Sequence, residues 1–213
     1  NKLLKNIREK AAPENLLATW DENISVLAAK ILQKRLMNLA GFTALTGEIG
    51  KALTGSQEQL AITYNLKANN GVFLQVDAGD TRDWIEFYKT SLRERRFKDI
   101  LMGYTGIGIH RDDLLFSING YDSKAFGSQG QKRSYALALK LAQLEFIKQQ
   151  CGEYPVLLLD DVMSELDEAR RTQLLHFLDG RVQTFITVND RSLIPSLAET
   201  AYFKVCEGVI KKD

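Results

Sequence analysis

Four apolar residues, Val156, Leu157, Leu158 and Leu159, run directly into two carboxylates, Asp160 and Asp161. A short all-apolar run is the pattern of a strand buried on both faces of a parallel sheet, and the carboxyl end of such a strand is where open α/β sheets place their ligands. One carboxylate there suits Mg²⁺, held directly or through water, and its neighbour suits the orientation or deprotonation of an attacking water. The plainer alternative is a strand that ends in acidic helix-capping residues. Upstream, Ser128, Gln129, Gly130 and Gln131 open a helical run that continues to residue 150. Exposed backbone N–H groups, the helix dipole and a small hydroxyl make an anion site at such a start, and glycine lets a phosphate approach the backbone. Ser128 with Gln131 three positions later also spells an ordinary capping box. Ser164, Glu165, Leu166 and Asp167 begin three residues beyond the paired carboxylates and read most simply as a capped turn leading into a helix over 168–178.

The elements that position these residues follow from periodicity. Leu17, Trp20, Ile24, Leu27, Ile31, Leu39, Phe42, Leu45 and Ile49 recur at helical spacing with Lys30, Lys34 and Arg35 opposite, which predicts a long amphipathic helix over 16–53 kinked near Gly41 or Gly47. Pro13 followed by Glu14 places its start near Ala12 or Pro13. The spacing drifts after Ile31, and too few heptads persist for a sustained coiled coil. Residues 60–64 and 72–76 flank an Asn69-Asn70-Gly71 segment and read as a strand pair. Asp80 or Thr81 caps a helix through Trp84, Ile85, Tyr88, Leu92, Phe97 and Ile100. Composition changes near residue 105: glycines 103, 106 and 108 mark a turn, 113–118 a strand and Asn119-Gly120 a hairpin. From there helix, strand, helix and strand alternate through 184–188, as in an α/β sheet. No internal repeat or low-complexity stretch interrupts the pattern.

The whole chain sets the limits. Its 213 residues are 45% hydrophobic and 26% charged, enough for a packed core and too apolar for a disordered tail. Lys and Arg total 28 against 27 Asp and Glu, so any nucleic-acid contact must be local. No apolar run spans a bilayer and no charged-then-apolar leader opens the chain, so the expectation is a soluble cytoplasmic protein without membrane contact. Cys151 and Cys206 form no CxxC pair and read as buried or half-buried free thiols; with two histidines, His110 and His176, no zinc site is expected.

Order and spacing add to these separate signals. A small-residue loop opening a long helix, a buried strand with two terminal carboxylates, then Ser-x-Leu-Asp is the order of parts in the second half of an ABC-type ATPase. Gly108-Ile109-His110-Arg111-Asp112-Asp113-Leu114, Phe126-Gly127-Ser128-Gln129-Gly130-Gln131-Lys132-Arg133, and the run from Leu158 through Asp160, Asp161 and Ser164 to Asp167 closely resemble the bacterial RecF family. The resemblance covers the chain from about residue 103 to its end; earlier residues match only in general helical and strand character. It implies an α/β fold: the C-terminal lobe of an ABC-type ATPase head over 105–213, plus a mixed helical and strand arm over 1–104. It implies ATP and Mg²⁺ as cofactors, with Asp160 as the metal-associated carboxylate. Asp161 stands where many such ATPases carry a glutamate that polarises the attacking water. Ser128, Gln129, Gly130 and Gln131 match the signature loop, which reaches the γ-phosphate of an ATP held by the opposite subunit. Ser164, Glu165 and Asp167 match the loop that crosses the dimer interface. Asn189 falls near the position of a switch histidine, and Asn can hydrogen-bond but not change charge.

The pattern departs from the family at two places. Ile109 stands where proline is expected. No Gly-x-x-x-x-Gly-Lys-Ser/Thr occurs in the chain. Together with the start at Asn1, that absence leads to the expectation of a C-terminal portion, inactive by itself, of a weak ATPase. The resemblance further implies an ATP-dependent homodimer and sequence-independent contact with duplex DNA or single/double-strand junctions. It implies RecR and RecO as partner mediators, and roles in replication, recombination, repair and the SOS response. Arg93, Arg95 and Arg96, with Lys89 and Lys98, form a local basic cluster for DNA phosphates, and His110 and Arg111 are further candidates. The rival readings are the head fragment of a chromosome-structure or break-repair ATPase, against which the lack of a long heptad insertion speaks, and a non-catalytic interaction module.

Overall fold

A computed structural model describes residues 1–55, 58–76, 79–194 and 200–212. A short helix α1 (Lys2–Arg8) precedes α2 (Leu16–Thr54), a single 39-residue helix that runs through Gly41 and Gly47 and ends on left-handed Gly55. Pro13 lies in the turn before α2, and the helix is entered at Asn15.

Which face of α2 is buried changes along its length. In its first half Leu17, Ala28, Ala29, Leu32 and Leu36 are buried, whereas Trp20 (58% exposed), Leu27 (60%) and Ile31 (42%) face outward. Beyond Leu17, the expected apolar stripe is therefore the open one there. The reason is steric: small residues at 25, 28 and 29 let α3 (Thr81–Met102) and β1 (Leu60–Lys67) pack close to the helix, and close packing outweighs side-chain size. Ala28, Leu32 and Leu36 share a core with Tyr64, Leu66 and Tyr88. In the second half of α2, Ile49 and Leu53 join a larger core with Leu60, Ile118, Tyr135, Leu141, Met163 and Leu174.

The hairpin of β1 and β2 (Phe73–Gln75) continues into a four-stranded antiparallel sheet ordered β2-β1-β3-β4, with β3 (Asp113–Ile118) and β4 (Tyr121–Asp122). Asn119 and Gly120 both take positive φ (52° and 82°), as a two-residue hairpin turn requires. Leu60 pairs with Ile118 and Asn65 with Asp113, so this sheet crosses the compositional change near residue 105. After α4 (Ser123–Phe126) comes α5 (Gln129–Cys151), followed by β5 (Leu157–Asp160), α6 (Glu168–Leu178) and β6 (Thr184–Thr187). Strands β5 and β6 pair in parallel. A terminal hairpin, β7 (Phe203–Cys206) and β8 (Val209–Lys212), turns at Glu207-Gly208. The alternation over the second half confirms the α/β class.

Two details follow from packing. A Cβ at Gly50 would lie 2.4 Å from Cδ1 of buried Leu60, so glycine is what lets α2 touch β1. Gly50→Ala should cost about 1–3 kcal/mol through overpacking, despite alanine's better helix propensity. Urea denaturation of the two chains checks this, and a neutral or stabilising change would refute the contact. Both thiols, expected to be buried or half-buried, are free and exposed: Cys151 ends α5 against glycine, and Cys206 sits on the outer hairpin.

Candidate functional site

The end of β5 is organised by one hydroxyl. In the parallel register Asp160 lies opposite Thr187, and Thr187 Oγ1 donates to Asp160 Oδ1 at 2.6 Å. Thr187 Oγ1 in turn accepts from the Asp161 backbone N–H at 3.0 Å. Asp161 adopts left-handed backbone (φ 52°), which aspartate tolerates better than most residues. Its carbonyl accepts from Ser164 Oγ at 2.8 Å. The Asp161 backbone is thus fixed on both sides, and its exposed carboxylate has no hydrogen bond or ion pair among the described residues. Beneath the turn, Met163 is wholly buried and Leu166 nearly so, anchoring the segment to the larger core.

Asp167 caps α6. It accepts from the Arg170 N–H at 2.9 Å and from the Arg170 guanidinium. The backbone hydrogen bond, followed by the Arg170 charge, holds its carboxyl below the ordinary aspartate range. Ser128 likewise caps α5, as the capping-box spacing to Gln131 predicts. Its hydroxyl accepts from Gln131 N–H at 3.2 Å while the Gln131 side chain accepts from Ser128 N–H at 2.9 Å. The capping box is real, and it leaves the Gln129 and Gly130 N–H groups at an exposed helix start. Arg133, one turn on, donates to the Glu165 carbonyl at 3.3 Å and lies 3.7 Å from its carboxylate. Asp160, Asp161, Ser164 and Glu165 therefore form one cluster, tied through Arg133 to the helix that Ser128 caps. Asn189 is exposed two residues beyond β6.

Among the described residues, no group of three or more His, Cys, Asp or Glu side chains could hold a metal ion. The residues fit a Mg²⁺ that is not caged by protein: this ion takes one or two carboxylates and completes its shell with phosphates and water. Asp160 supplies one such carboxylate, oriented through Oδ1.

The basic cluster on α3 does not form a single strip. Arg95 Nε donates to Asp99 Oδ1 at 3.1 Å and its Nη1 to the Asn69 carbonyl at 3.0 Å. Arg96 pairs with Asp21 at 2.7 Å, and Lys89 with Glu22 at 3.1 Å. These cations join α3 to α2 and to the β1–β2 hairpin. Arg93 and Lys98 remain exposed with no ion pair among the described residues. His110 and Arg111 are exposed at the end of the 103–111 turn.

Sequence reasoning missed the residues that hold that turn. Arg35 donates to Tyr64 Oη at 3.0 Å and to the Ile109 carbonyl at 2.9 Å, and Tyr64 donates to Asp112 Oδ2 at 2.8 Å. Asp112 also accepts from Lys67 N–H at 3.1 Å. Burial pushes the Asp112 carboxyl above its ordinary range and the Tyr64 hydroxyl up to about 12, so tyrosine stays a donor. With proline absent at 109, the Arg35 bond holds this backbone in place. Thr187 and Arg133 were also missed; the position of Thr187, at the end of the strand beside β5, was the available signal.

No family model matches the chain. It is 44% identical over 188 residues to the DNA replication and repair protein RecF of Heliobacterium modesticaldum, covering 88% of this chain and 49% of that protein. To the proteins of the same name from Halothermothrix orenii and Bacillus subtilis it is 37% and 36% identical, covering 100% of this chain and 56% and 57% of theirs. The chain thus spans about half the length of the curated relatives it matches. Solved structures of the recombination mediator protein RecF in the RecFOR pathway, one RecF-ATPrS and one RecF-ATP, superpose with TM-scores of 0.83 and 0.84. Their identities are 36% and 37%; each comparison covers 99% of this chain and 54% or 53% of theirs.

Proposed function

The chain belongs to the RecF family, and from that premise we propose that it is the C-terminal portion of an ATP-dependent DNA-binding protein of recombinational gap repair. The observation that carries this reading is the paired-carboxylate turn: Asp160 oriented by Thr187, beside an Asp161 whose backbone is fixed and whose carboxylate is uncommitted. ATP comes from the solved relatives, one of them RecF-ATP.

The residues take roles according to what each atom can do. Asp160 would hold Mg²⁺, which supplies charge neutralisation on the phosphates. Asp161 orients the water that attacks the γ-phosphorus in line and accepts its proton, while the bond from the γ-phosphorus to the bridging oxygen breaks and ADP leaves with that electron pair. Ser128 and the N–H groups at Gln129 and Gly130 stabilise charge on the transferred phosphoryl group of an ATP held by a second subunit, which makes hydrolysis depend on dimerisation. Gln131 keeps the cap in place. Ser164, Glu165 and Asp167 face that second subunit, and Asn189 hydrogen-bonds the γ-phosphate. Binding of ATP closes the dimer around DNA and its hydrolysis releases it. In gap repair the assembly helps load a strand-exchange recombinase, with RecR and RecO as partners. The arm is residues 1–104 and the head lobe 105–213.

The open face of the parallel sheet supports a partner lobe. Leu158 is 72% exposed and Phe185 57%, whereas two-stranded parallel sheets are ordinarily covered on both faces. The half of the relatives' length that this chain does not span is the natural cover.

Fluorescent ATP with Mg²⁺ tests the reading. The isolated chain should bind weakly or not at all and show no turnover; the full-length protein should dimerise on ATP by light scattering. Robust hydrolysis by the isolated chain, or no ATP-dependent dimer from the full-length protein, would count against it. Retained dimerisation with no hydrolysis under any condition would favour the non-catalytic module, which the internally satisfied caps at Ser128 and Asp167 favour.

A further inference from the structure

We propose that the junction of α1, the end of α3 and the 103–111 turn is a docking surface for the phosphate backbone of DNA, with Lys5, Arg8 and Arg111 as its principal contacts. This rests on the reading of the protein as DNA-binding and assigns that function to a surface drawn from three separate stretches of sequence. Helix α1 carries Lys2, Lys5 and Arg8 at steps of three, and all three are exposed. It seats on Gly103, the left-handed cap of α3: a Cβ there would lie 3.1 Å from Lys5 Cγ and 3.3 Å from Arg8 Nη1. Arg8 Nη1 also donates to the Leu101 carbonyl at 3.4 Å. From the turn, the Arg111 guanidinium lies 5.2 Å over the Tyr104 ring and donates to the Thr105 carbonyl at 3.3 Å. The Thr105 N–H in turn donates to Asn1 Oδ1 at 2.9 Å, which draws the turn against the start of α1.

The nearby carboxylates neutralise this surface only in part. Glu9 forms an exposed ion pair with Arg8 at 3.7 Å; Asp99 is buried under Arg95, and Asp112 faces Tyr64 and Lys67, so Lys2 and Lys5 keep their charge open. A cation at a helix C-terminus favours the helix dipole, and that accounts for Arg8 on Leu101. It does not account for Lys2 and Lys5, which have no hydrogen bond or ion pair among the described residues, or for Arg111 stacked on an outward ring. An exposed ammonium pair beside a ring-held guanidinium offers point charge and a fixed planar donor. That chemistry neutralises phosphates and reads no base. The α3 cluster, by contrast, has spent Arg95 and Arg96 inside the fold.

The test uses the full-length protein and a labelled 30-base-pair duplex, with affinity measured against salt. Lys5→Glu/Arg8→Glu/Arg111→Glu is compared with Lys204→Glu/Lys211→Glu on the exposed β7–β8 hairpin, and far-UV circular dichroism confirms folding. A milder Lys5→Gln/Arg111→Gln variant serves if the triple reversal unfolds. Each phosphate contact contributes about 0.9 to the slope of log affinity against log salt, so the triple variant should lose about 2.7 and the milder one about 1.8. The hairpin variant should keep the wild-type slope. Unchanged affinity and slope in the folded junction variants overturns the assignment. Wild-type protein that binds no duplex removes the DNA-binding reading itself, and this inference with it.

Discussion

Replacing Arg95 with alanine is expected to destabilise the folded chain by about 3–5 kcal/mol at neutral pH, the cost of leaving a buried charge without its partner. Asp99 has a side chain only 5% exposed, and its two oxygens accept from Arg95 Nε and from the Gly106 N–H. Burial pushes the Asp99 carboxyl above its ordinary range; the Gly106 hydrogen bond and Arg95 pull it partly back. A folded-state value raised above the unfolded one means that folding favours the protonated form. Stability from this group is full below the unfolded value near 3.8 and is lost as pH rises through the folded value. Removing Arg95 raises the folded value further. The deficit of Arg95→Ala relative to wild type should therefore be largest at pH 7 and shrink on acidification, as Asp99 takes up a proton. Urea denaturation at pH 7.5 and pH 5 reads both; a deficit below about 1 kcal/mol, or one that grows in acid, would contradict the account. Lysine is a poor substitute, because Arg95 also reaches the Asn69 carbonyl through its fork.

In the full-length protein, Asp160→Asn should lower ATP hydrolysis by on the order of 100-fold, since a metal-held charge on the phosphates is worth several kcal/mol in the transition state. Thr187→Val tests the geometry more selectively. It removes the hydroxyl that orients Asp160 and receives the Asp161 N–H, without touching either carboxylate. Residues that orient a metal's ligand typically cost about 10–100-fold when removed, and Thr187→Ser should recover most of the loss. Steady-state phosphate release over a Mg²⁺ titration separates the two roles: Thr187→Val should need more Mg²⁺, and Asp160→Asn should not be rescued by it. Wild-type turnover in Asp160→Asn would remove that residue from the site.

The chemistry-bearing positions were legible because they sit where strands and helices end. Apolar runs announce such ends, so β5, the Ser128 cap and the Asn119-Gly120 hairpin could be read directly. Partnerships across the fold could not. Nothing local to Arg95 and Arg96 distinguishes them from Arg93, and only the approach of α2 and the Asn69 turn commits them to internal pairs. Trp20 and Leu27 misled for a related reason: large side chains mark an apolar stripe, but contact with α3 and β1 needed small residues. Lys5 and Arg8 lie about a hundred residues from Arg111 in sequence and carry no motif; the seat of α1 on Gly103 and the Thr105–Asn1 hydrogen bond bring the two stretches together.

Helix α2 belongs to both hydrophobic cores, through Leu32 and Leu36 in one and Ile49 and Leu53 in the other. Its 39 residues make a rod about 58 Å long at 1.5 Å per residue, with no break in its backbone ladder between the two anchorages. A tilt of about 5° at its anchored end displaces the other end of such a rod by about 5 Å, more than the width of a hydrogen bond. Because Leu32 and Leu36 hold its first half and Ile49 and Leu53 its second, the helix sets the spacing of the two cores, and a tilt at one anchorage has to be matched by repacking at the other.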